Sequence, residues 1–270
     1  MKNLRRIYRK IRFLLSINWL KTIYLNFLEF PLNIAIKLPI YVFYKVELIG
    51  LKRGCIKFAD NITIKPGIVH LGTKQWPIMP NGGQYTLLRF ERNSSLILGS
   101  DLKFKTGCTL CIYKNATLKI GNDFWINSSS RIYCKKKIVI GNHCRIGWET
   151  QLYDTDFHFI YNEKKKSIGA LAGCIELGDN VWITNRCTIA KNVTIPSFSI
   201  VASGSIVNKD LSHITSKGNL FVGRPAELKA TGVFRIVNEK AQSSLQKEFQ
   251  EADTDKLYIE EGLHEEWLSN

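Results

Sequence analysis

Apolar side chains recur at every sixth position over a long stretch of the chain. The most regular run comprises Leu177, Ile183, Ile189, Ile195, Val201 and Val207. An α-helix repeats every 3.6 residues and a strand every two, so neither gives a six-residue apolar repeat as its basic period. Stacked coils do, because each coil covers the apolar face of its neighbour. The pattern therefore predicts a repetitive all-β architecture.

The same register continues upstream with interruptions. Its anchors fall in three sets: Leu98, Phe104 and Leu110, then Ile120, Ile126 and Ile132, then Ile140, Ile146 and Leu152. Small or apolar residues stand four positions after the anchors of the regular run: Val181, Cys187, Val193, Ser199 and Ser205. We predict that three six-residue steps form one turn and that both sets of side chains point inward. The breaks at 75–85 and 159–174 should be loops.

The two ends of the chain differ from this middle part. Residues 1–48 are basic and rich in aromatic and aliphatic side chains, without the run of about 20 apolar residues that spans a bilayer. Such a segment suits amphipathic helices on an anionic membrane, and it suits equally a helical cap on the core. Residues 231–270 predict an acidic helical tail. The expected division is thus 1–48 as a basic amphipathic helical segment, 49–230 as the repeat domain, and 231–270 as the tail.

Charge and cysteine content bear on the binding partners and the cellular compartment, but neither identifies a single partner. The net charge is +15, yet residues 231–270 hold four basic and nine acidic side chains, so the body is more basic than the whole. A basic protein attracts polyanions, including nucleic acid, anionic lipid, glycans and phosphorylated cofactors. No basic-aromatic module indicates nucleic acid. Seven scattered cysteines and the absence of a signal-peptide pattern lead us to expect the reducing cytoplasm. The basic N-terminal segment adds the expectation of peripheral attachment to the inner membrane face.

Four segments carry a family resemblance: Asp154 to His158 (Asp-Thr-Asp-Phe-His), Leu177 to Ile183, Val201 to Asp210, and Gly223 to Ala226. Together they resemble the hexapeptide-repeat acyltransferases, above all the sugar O-acetyltransferase branch with its maltose, galactoside, nodulation-factor and surface-polysaccharide enzymes. The resemblance implies a left-handed parallel β-helix, a hexapeptide-repeat solenoid, that assembles as a homotrimer with active sites between subunits. It also implies acetyl-CoA as donor, a hydroxyl of a surface glycan or lipid-linked saccharide as acceptor, and no metal.

His158 is the candidate general base. It lies six residues beyond Leu152, at an anchor position where the repeat breaks, and a polar imidazole there needs a hydrogen bond or a task. A neutral imidazole with a pKa near about 6.5 can take the proton of an attacking hydroxyl. The alternative is a hydrogen-bonded corner histidine. We expect Asp156 to assist the base and Asp154 to bind acceptor, although aspartates at a corner are also ordinary turn residues.

The resemblance implies binding residues as well. Asn127 falls where the galactoside and maltose enzymes carry an acceptor-site asparagine. Coenzyme A is expected in a groove between coils of neighbouring subunits, lined by Trp182, Asn185, Ser203, Asn208 and Lys209. Lys209 would offer a compact positive charge to a phosphate. Thr184 and Pro196 stand where the family usually has glycine, which narrows the path for the cofactor or indicates a different acyl group.

Three other functions compete with sugar O-acetylation. A metal-dependent lyase on the same scaffold needs several imidazoles at one ion, whereas the five histidines lack clustered spacing: His70, His143, His158, His213 and His264. A non-catalytic binding or scaffolding repeat would tolerate replacement of His158. Acylation of a serine or an amino sugar would keep the chemistry and change the acceptor.

Overall fold

A computed structural model describes residues 2–74, 85–259, 262 and 265–268. In this part of the chain most strands belong to three parallel sheets. Sheet 1 contains β1 (Ile40–Val42), β4 (Val69–Thr73), β7 (Leu102–Lys105), β10 (Trp125–Ile126), β13 (Arg145–Ile146), β18 (Trp182–Ile183), β21 (Ser199–Val201) and β23 (Asn219–Gly223). Sheet 2 contains β2 (Val46–Ile49), β5 (Thr86–Phe90), β8 (Thr109–Ile112), β11 (Arg131–Cys134), β14 (Gln151–Tyr153), β19 (Thr188–Ile189) and β22 (Ile206–Val207). Sheet 3 contains β3 (Ile56–Phe58), β6 (Ser95–Leu98), β9 (Thr117–Ile120), β12 (Lys137–Ile140), β17 (Cys174–Leu177) and β20 (Val193–Ile195).

The remaining elements lie outside these parallel ladders. β24 (Ala226–Ala230) pairs antiparallel with β23, and β15 (Tyr161–Asn162) forms a hairpin with β16 (Ser167–Ile168). The helices are α1 (Lys2–Leu15), α2 (Trp19–Glu29), α3 (Leu32–Ala35), α4 (Glu239–Ala252) and a 3-10 turn at Glu265–Leu268. No helix in the described ranges combines the length and the apolar character needed to cross a membrane.

The chain visits the three sheets in turn, and each strand pairs with the strand one coil later. Phe104, Ile126, Ile146 and Ile183 are consecutive partners in sheet 1. All apolar anchors predicted from the six-residue pattern are at most 3% exposed, and so are the small residues predicted to turn inward. That prediction is confirmed. The predicted loop at 75–85 falls, apart from Tyr85, outside the described residues.

The corners between sheets contain residues in the left-handed backbone conformation, which most residue types rarely adopt. After sheet 3, one residue in each coil has a positive φ near 55°: Asp101, Asp123, His143, Asn180 and Phe198. Asn and Asp tolerate this left-handed region best after glycine. At the same corners, side-chain oxygens accept N–H groups from the preceding coil; Asn142 Oδ1, for example, lies 2.9 Å from Asn122 N. Each coil thereby fixes the corner of its neighbour.

Helix α2 covers the open edge that the first coil would otherwise expose. The Asn26 side chain both donates to the C=O (2.7 Å) and accepts the N–H (3.1 Å) of the first residue of β1. Thr22 Oγ1 accepts the N–H of Val42 at 3.0 Å, and the buried Glu29 carboxylate accepts the first N–H of β3 at 2.9 Å. Because unpaired edge strands invite association with other chains, these polar side chains close a sheet that would otherwise extend. The N-terminal segment therefore includes a cap, and its last nine residues already enter sheets 1 and 2.

Glycine after an anchor is required by the spacing of the coils. A Cβ on Gly121 would lie 2.7 Å from the carbonyl carbon of Gly141 in the next coil, whereas a Cβ on Gly169 would meet nothing within 4 Å. We predict that Gly121→Ala lowers the free energy of unfolding by about 1–3 kcal/mol, as overpacking does. Urea titrations of Gly121→Ala and the matched control Gly169→Ala would measure this, and equal midpoints for the two variants would contradict the close packing.

Candidate functional site

The chain leaves the repeat after β14 and returns at β17. The intervening excursion, residues 156–171, is here called the arm. A bridge between Thr155 and Ala172 closes its base, and the hairpin of β15 and β16 forms its outer part. Its large apolar side chains are mostly exposed: Phe157, Phe159, Ile160, Tyr161 and Ile168. The arm matches the interruption predicted at 159–174, with its start three residues earlier.

His158 lies at the base of the arm and is exposed. The prediction that it occupies an inward anchor position is wrong, because Phe157 adopts a φ of +61° and turns the chain outward just before the imidazole. The backbone N–H of His158 donates to the Asp156 carbonyl at 2.7 Å. In the described ranges its ring forms no hydrogen bond, so this ring is free to meet a group from outside the chain.

Asp154 holds the fold at the base of the arm. Its carboxylate is fully buried and accepts backbone N–H groups from three residues of the preceding coil: Lys135 at 2.6 Å, Lys136 at 2.7 Å and Lys137 at 2.8 Å. Burial raises the pKa of the Asp154 carboxyl above its ordinary value, and the three N–H donors oppose that shift. The expected contact with acceptor has no open carboxylate oxygen to use.

Asp156 faces Lys191 rather than the imidazole. Its Oδ2 lies 2.5 Å from Lys191 Nζ, which also donates to the Ala170 carbonyl at 2.5 Å. One ammonium group therefore ties both ends of the arm to the following coil. Asp156 therefore positions the arm through its side chain. Its contact with His158 is made by its backbone carbonyl.

Two of the candidate cofactor residues meet at the corner that follows sheet 1. Ser203 Oγ donates to Asn185 Oδ1 at 2.8 Å, across one coil step. Asn127 occupies the equivalent corner two coils earlier, since it follows β10 as Asn185 closely follows β18. Thr184, the departure from glycine, donates from its hydroxyl to the Val201 carbonyl at 2.8 Å. Its side chain is thus drawn back onto the coil.

The other candidates lie elsewhere. Trp182 is half-exposed on the outer face of sheet 1, with the Arg235 guanidinium 6.0 Å from its ring centroid. Asn208 and Lys209 are exposed at the corner that follows sheet 2. His158 follows sheet 2 as well, so a single chain does not bring the imidazole to the corner of Asn127. The candidate residues form two groups on different edges.

A cationic cluster on the outer face of sheet 1 was not predicted. Lys103, Trp125 and Arg145 are direct partners in successive coils. Lys103 Nζ lies 4.1 Å, Lys105 Nζ 5.6 Å and Arg145 Cζ 4.8 Å from the Trp125 ring centroid. The sequence signal was present as Lys-x-Lys in β7 and as Trp-x-Asn beginning in β10, but the pairing of these strands depends on a coil length that the interruptions in the repeat obscure.

Asp123 forms an ion pair on the Arg145 side of this cluster. Its carboxylate accepts two hydrogen bonds from Arg145 Nη2, at 2.7 and 2.9 Å, and lies 3.0 Å from His143 Nδ1. Although burial opposes ionisation, these hydrogen bonds hold the pKa of Asp123 below its ordinary value. Across the residues described, no group of three or more His, Cys, Asp or Glu side chains is arranged to hold a metal ion.

The two aspartates at the arm base should differ in their effect on stability. We predict that Asp154→Asn lowers the free energy of unfolding by about 3 kcal/mol, because an amide offers N–H groups to backbone donors that need acceptors. Asp156→Asn loses a partly exposed ion pair and should cost about 1 kcal/mol or less. Urea unfolding of both variants tests the difference. A larger loss for Asp156→Asn would show that the buried carboxylate is not the main support.

Comparison with known proteins gives curated relatives but no family model, since no protein-family model matches the chain. Galactoside O-acetyltransferase of Escherichia coli (strain K12) is 31% identical over 96 residues, which are 36% of this chain and 47% of that protein. A Saccharomyces cerevisiae protein provisionally named an acetyltransferase is 32% identical over 110 residues, 40% of this chain and 55% of that protein. The chain thus spans about half the length of the curated relatives it matches.

A solved structure supports the fold. The crystal structure of the polySia-specific acetyltransferase NeuO matches with a TM-score of 0.50 and 18% identity, covering 80% of this chain and 99% of that chain. At this identity the likeness shows the fold alone. Together with the curated relatives, it confirms that the chain resembles the hexapeptide-repeat sugar acetyltransferases.

Proposed function

We propose that the protein is an O-acetyltransferase that transfers an acetyl group from acetyl-CoA to a sugar hydroxyl in a bacterial-type surface glycan or its lipid-linked precursor. The observation that carries this proposal is the exposed imidazole of His158 at the base of an arm that breaks an otherwise regular repeat. Groups on excursions from a rigid scaffold are well placed to meet ligands. The likeness to galactoside O-acetyltransferase supports the choice of a sugar acceptor.

The chemistry requires one base and one leaving group. The neutral His158 ring accepts the proton of the acceptor hydroxyl while its oxygen attacks the thioester carbonyl. The new C–O bond produces a tetrahedral oxyanion, which backbone N–H groups can stabilise. When the C–S bond breaks, the imidazolium returns the proton to the departing sulfur. The products are an O-acetyl ester and free coenzyme A.

The donor would lie between two copies of the chain, along the corner that follows sheet 1 in one copy and the corner that follows sheet 2 in the other. In the proposal, the Trp182 ring lines the groove, and the linked pair of Asn185 and Ser203 contacts the pantetheine arm. Asn208 and the exposed Lys209 receive the nucleotide end, where a compact ammonium group suits a phosphate. Asn127 binds the acceptor one edge away from His158. Since each chain separates these groups, a complete site needs residues from two copies, and we infer a homotrimer of left-handed β-helices.

The two aspartates support the base indirectly. Asp154 fixes the start of the arm through its three N–H contacts, and Asp156 fixes both ends through Lys191. In this scheme residues 49–230 form the catalytic repeat, residues 1–48 the basic segment and residues 231–270 the tail. Transfer would take place in the cytoplasm at the inner membrane face.

Helix α1 supplies the contact with that membrane. Its basic residues are Lys2, Arg5, Arg6, Arg9, Lys10 and Arg12, and it contains no acidic residue. Its apolar side chains at helical spacing remain exposed: Leu4 76%, Ile7 56%, Tyr8 65% and Ile11 50%. Cations together with an apolar stripe are typical of helices that lie in an anionic bilayer interface. Phe13 packs against Phe43 in an edge-on contact with centroids 5.7 Å apart, which anchors the helix end to the first coil.

His158→Ala should abolish transfer without disturbing the fold. We predict that acceptor-dependent release of free thiol from acetyl-CoA falls about 10²–10⁴-fold, the range for loss of a general base. The assay uses neutral and acidic oligosaccharides, serine and amino sugars as acceptors, with His213→Ala as the matched control because His213 is also exposed. Undiminished turnover in His158→Ala would refute the assignment of the base. Turnover only with serine or only with amino sugars would show that the acceptor is not a sugar hydroxyl.

Replacing the apolar stripe should release the protein from membranes. We predict that Ile7→Glu reduces co-sedimentation with phosphatidylglycerol vesicles at least about 10-fold, since it places a charge in the interface. Ile7→Leu is the matched control and should bind as the original chain does. Equal binding of Ile7→Glu and Ile7→Leu would show that α1 does not enter the bilayer.

A further inference from the structure

Two lysines of the cationic cluster have no direct ion pair among the described residues. In the part of the chain that the structure describes, neither Lys103 nor Lys105 forms a hydrogen bond or an ion pair through its ammonium group. Asp123 is hydrogen-bonded to Arg145 and His143, and it acts on Lys103 electrostatically, as do Asp101 and Glu239. The charge that acts most strongly on Lys105 is the positive charge of Lys103. The charge of Lys103 is therefore partly offset by these acidic residues, and that of Lys105 is not.

Both ammonium groups are partly withdrawn from water. Burial lowers the pKa of Lys103, and burial together with Lys103 lowers the pKa of Lys105. The neighbouring His70, the partner of Lys103 in the preceding coil, has its pKa lowered to about 4 by burial and by these two lysines. The imidazole therefore stays neutral and adds no positive charge to the cluster. Unpaired cations in such surroundings gain more from an anion than surface lysines do.

The Trp125 ring holds the cations of the cluster in place. Trp125 lies between Lys103 on one side and Arg145 on the other, and its side chain is partly exposed. Lys103 Nζ lies over the ring, 4.1 Å from its centroid, and the Arg145 guanidinium lies 4.8 Å from it. Cation–π contacts of this kind fix the positive charges and leave their N–H groups able to donate to an anion. Charges fixed in this way favour a saccharide that carries negative charge.

The cluster adjoins the candidate acceptor residue. Lys105 follows Lys103 by two positions in β7, and Asn127 follows Trp125 by two positions after the paired strand. Lys103 and Trp125 are paired, and Lys105 and Asn127 each lie two residues beyond them. Lys105 and Asn127 therefore lie side by side in successive coils, about 4.8 Å apart along the axis. A saccharide held at Asn127 would therefore have the two lysines within reach.

We propose that Lys103 and Lys105, with Trp125, select an acidic saccharide as the acceptor, one that carries a carboxylate or a phosphate next to the hydroxyl to be acetylated. This inference rests on the proposed function, because it assigns the substrate class of the same site. It explains why charge is concentrated beside Asn127 rather than only at Lys209, where the donor phosphates are placed.

Direct binding tests the inference separately from catalysis. The probes are a sialic acid trimer, a glucuronate-bearing disaccharide and mannose 6-phosphate, compared respectively with the methyl esters of the two acids and with mannose. We expect the charged member of at least one pair to bind the full-length protein about 10-fold more tightly, with a preference that weakens as NaCl is raised. Whether carboxylate or phosphate pairs show the preference identifies the anion. Equal binding within every pair overturns the proposal.

Lysine variants locate the preference. The double variant Lys103→Gln/Lys105→Gln should lose the charged-over-neutral preference, whereas Lys119→Gln, which removes an exposed lysine from sheet 3, should keep it. In thiol-release assays the double variant should raise KM for the acidic acceptor and leave KM for acetyl-CoA unchanged. A rise in KM for acetyl-CoA alone would mean that the cluster binds the donor, which overturns the proposal. Anion-selective binding without any thiol release would support the role of the cluster and would refute the proposed transferase activity instead.

Discussion

Backbone hydrogen bonding between successive coils is the interaction on which the structure depends. It holds each strand about 4.8 Å from the same strand of the next coil and so aligns equivalent residues into columns. Inward columns are filled by the anchors and form one continuous core. The same spacing leaves no space for a side chain at Gly121, whose Cβ would contact the next backbone. The six-residue pattern of apolar side chains recurs because every coil lies at the same distance from the next.

A stack of coils has two ends, and in this chain different elements cover them. At the first coil, α2 satisfies the exposed strand edge through Asn26, Thr22 and Glu29. At the last coil, β24 folds back antiparallel on β23. The first arrangement leaves α1 outside the core with its apolar side chains in solvent. Of the two compatible roles expected for residues 1–48, capping is carried by α2, and the proposed membrane contact would use a different helix, α1.

The part of the fold that depends on period alone was predictable from sequence, and the part that depends on contacts between coils was not. Inward anchors such as Ile183 need only the count of six. The outward course at His158 depends on a left-handed φ at Phe157, a residue that rarely adopts it. The role of Asp154 depends on N–H donors 17 to 19 residues earlier. Likewise, Lys103 meets Trp125 only because two coils of unequal composition align.

The way the arm is fastened separates its sequence from the stability of the repeat. Its supports are a buried carboxylate that belongs to the strand end, an ammonium group from the following coil and a bridge of backbone atoms at Thr155 and Ala172. None of them uses the apolar residues farther out, which pack against little of the core. The outer hairpin can therefore be exchanged for another during evolution while His158 keeps its position at the base of the arm. Under the proposed function, such an exchange would change the acceptor without changing the fold of the repeat.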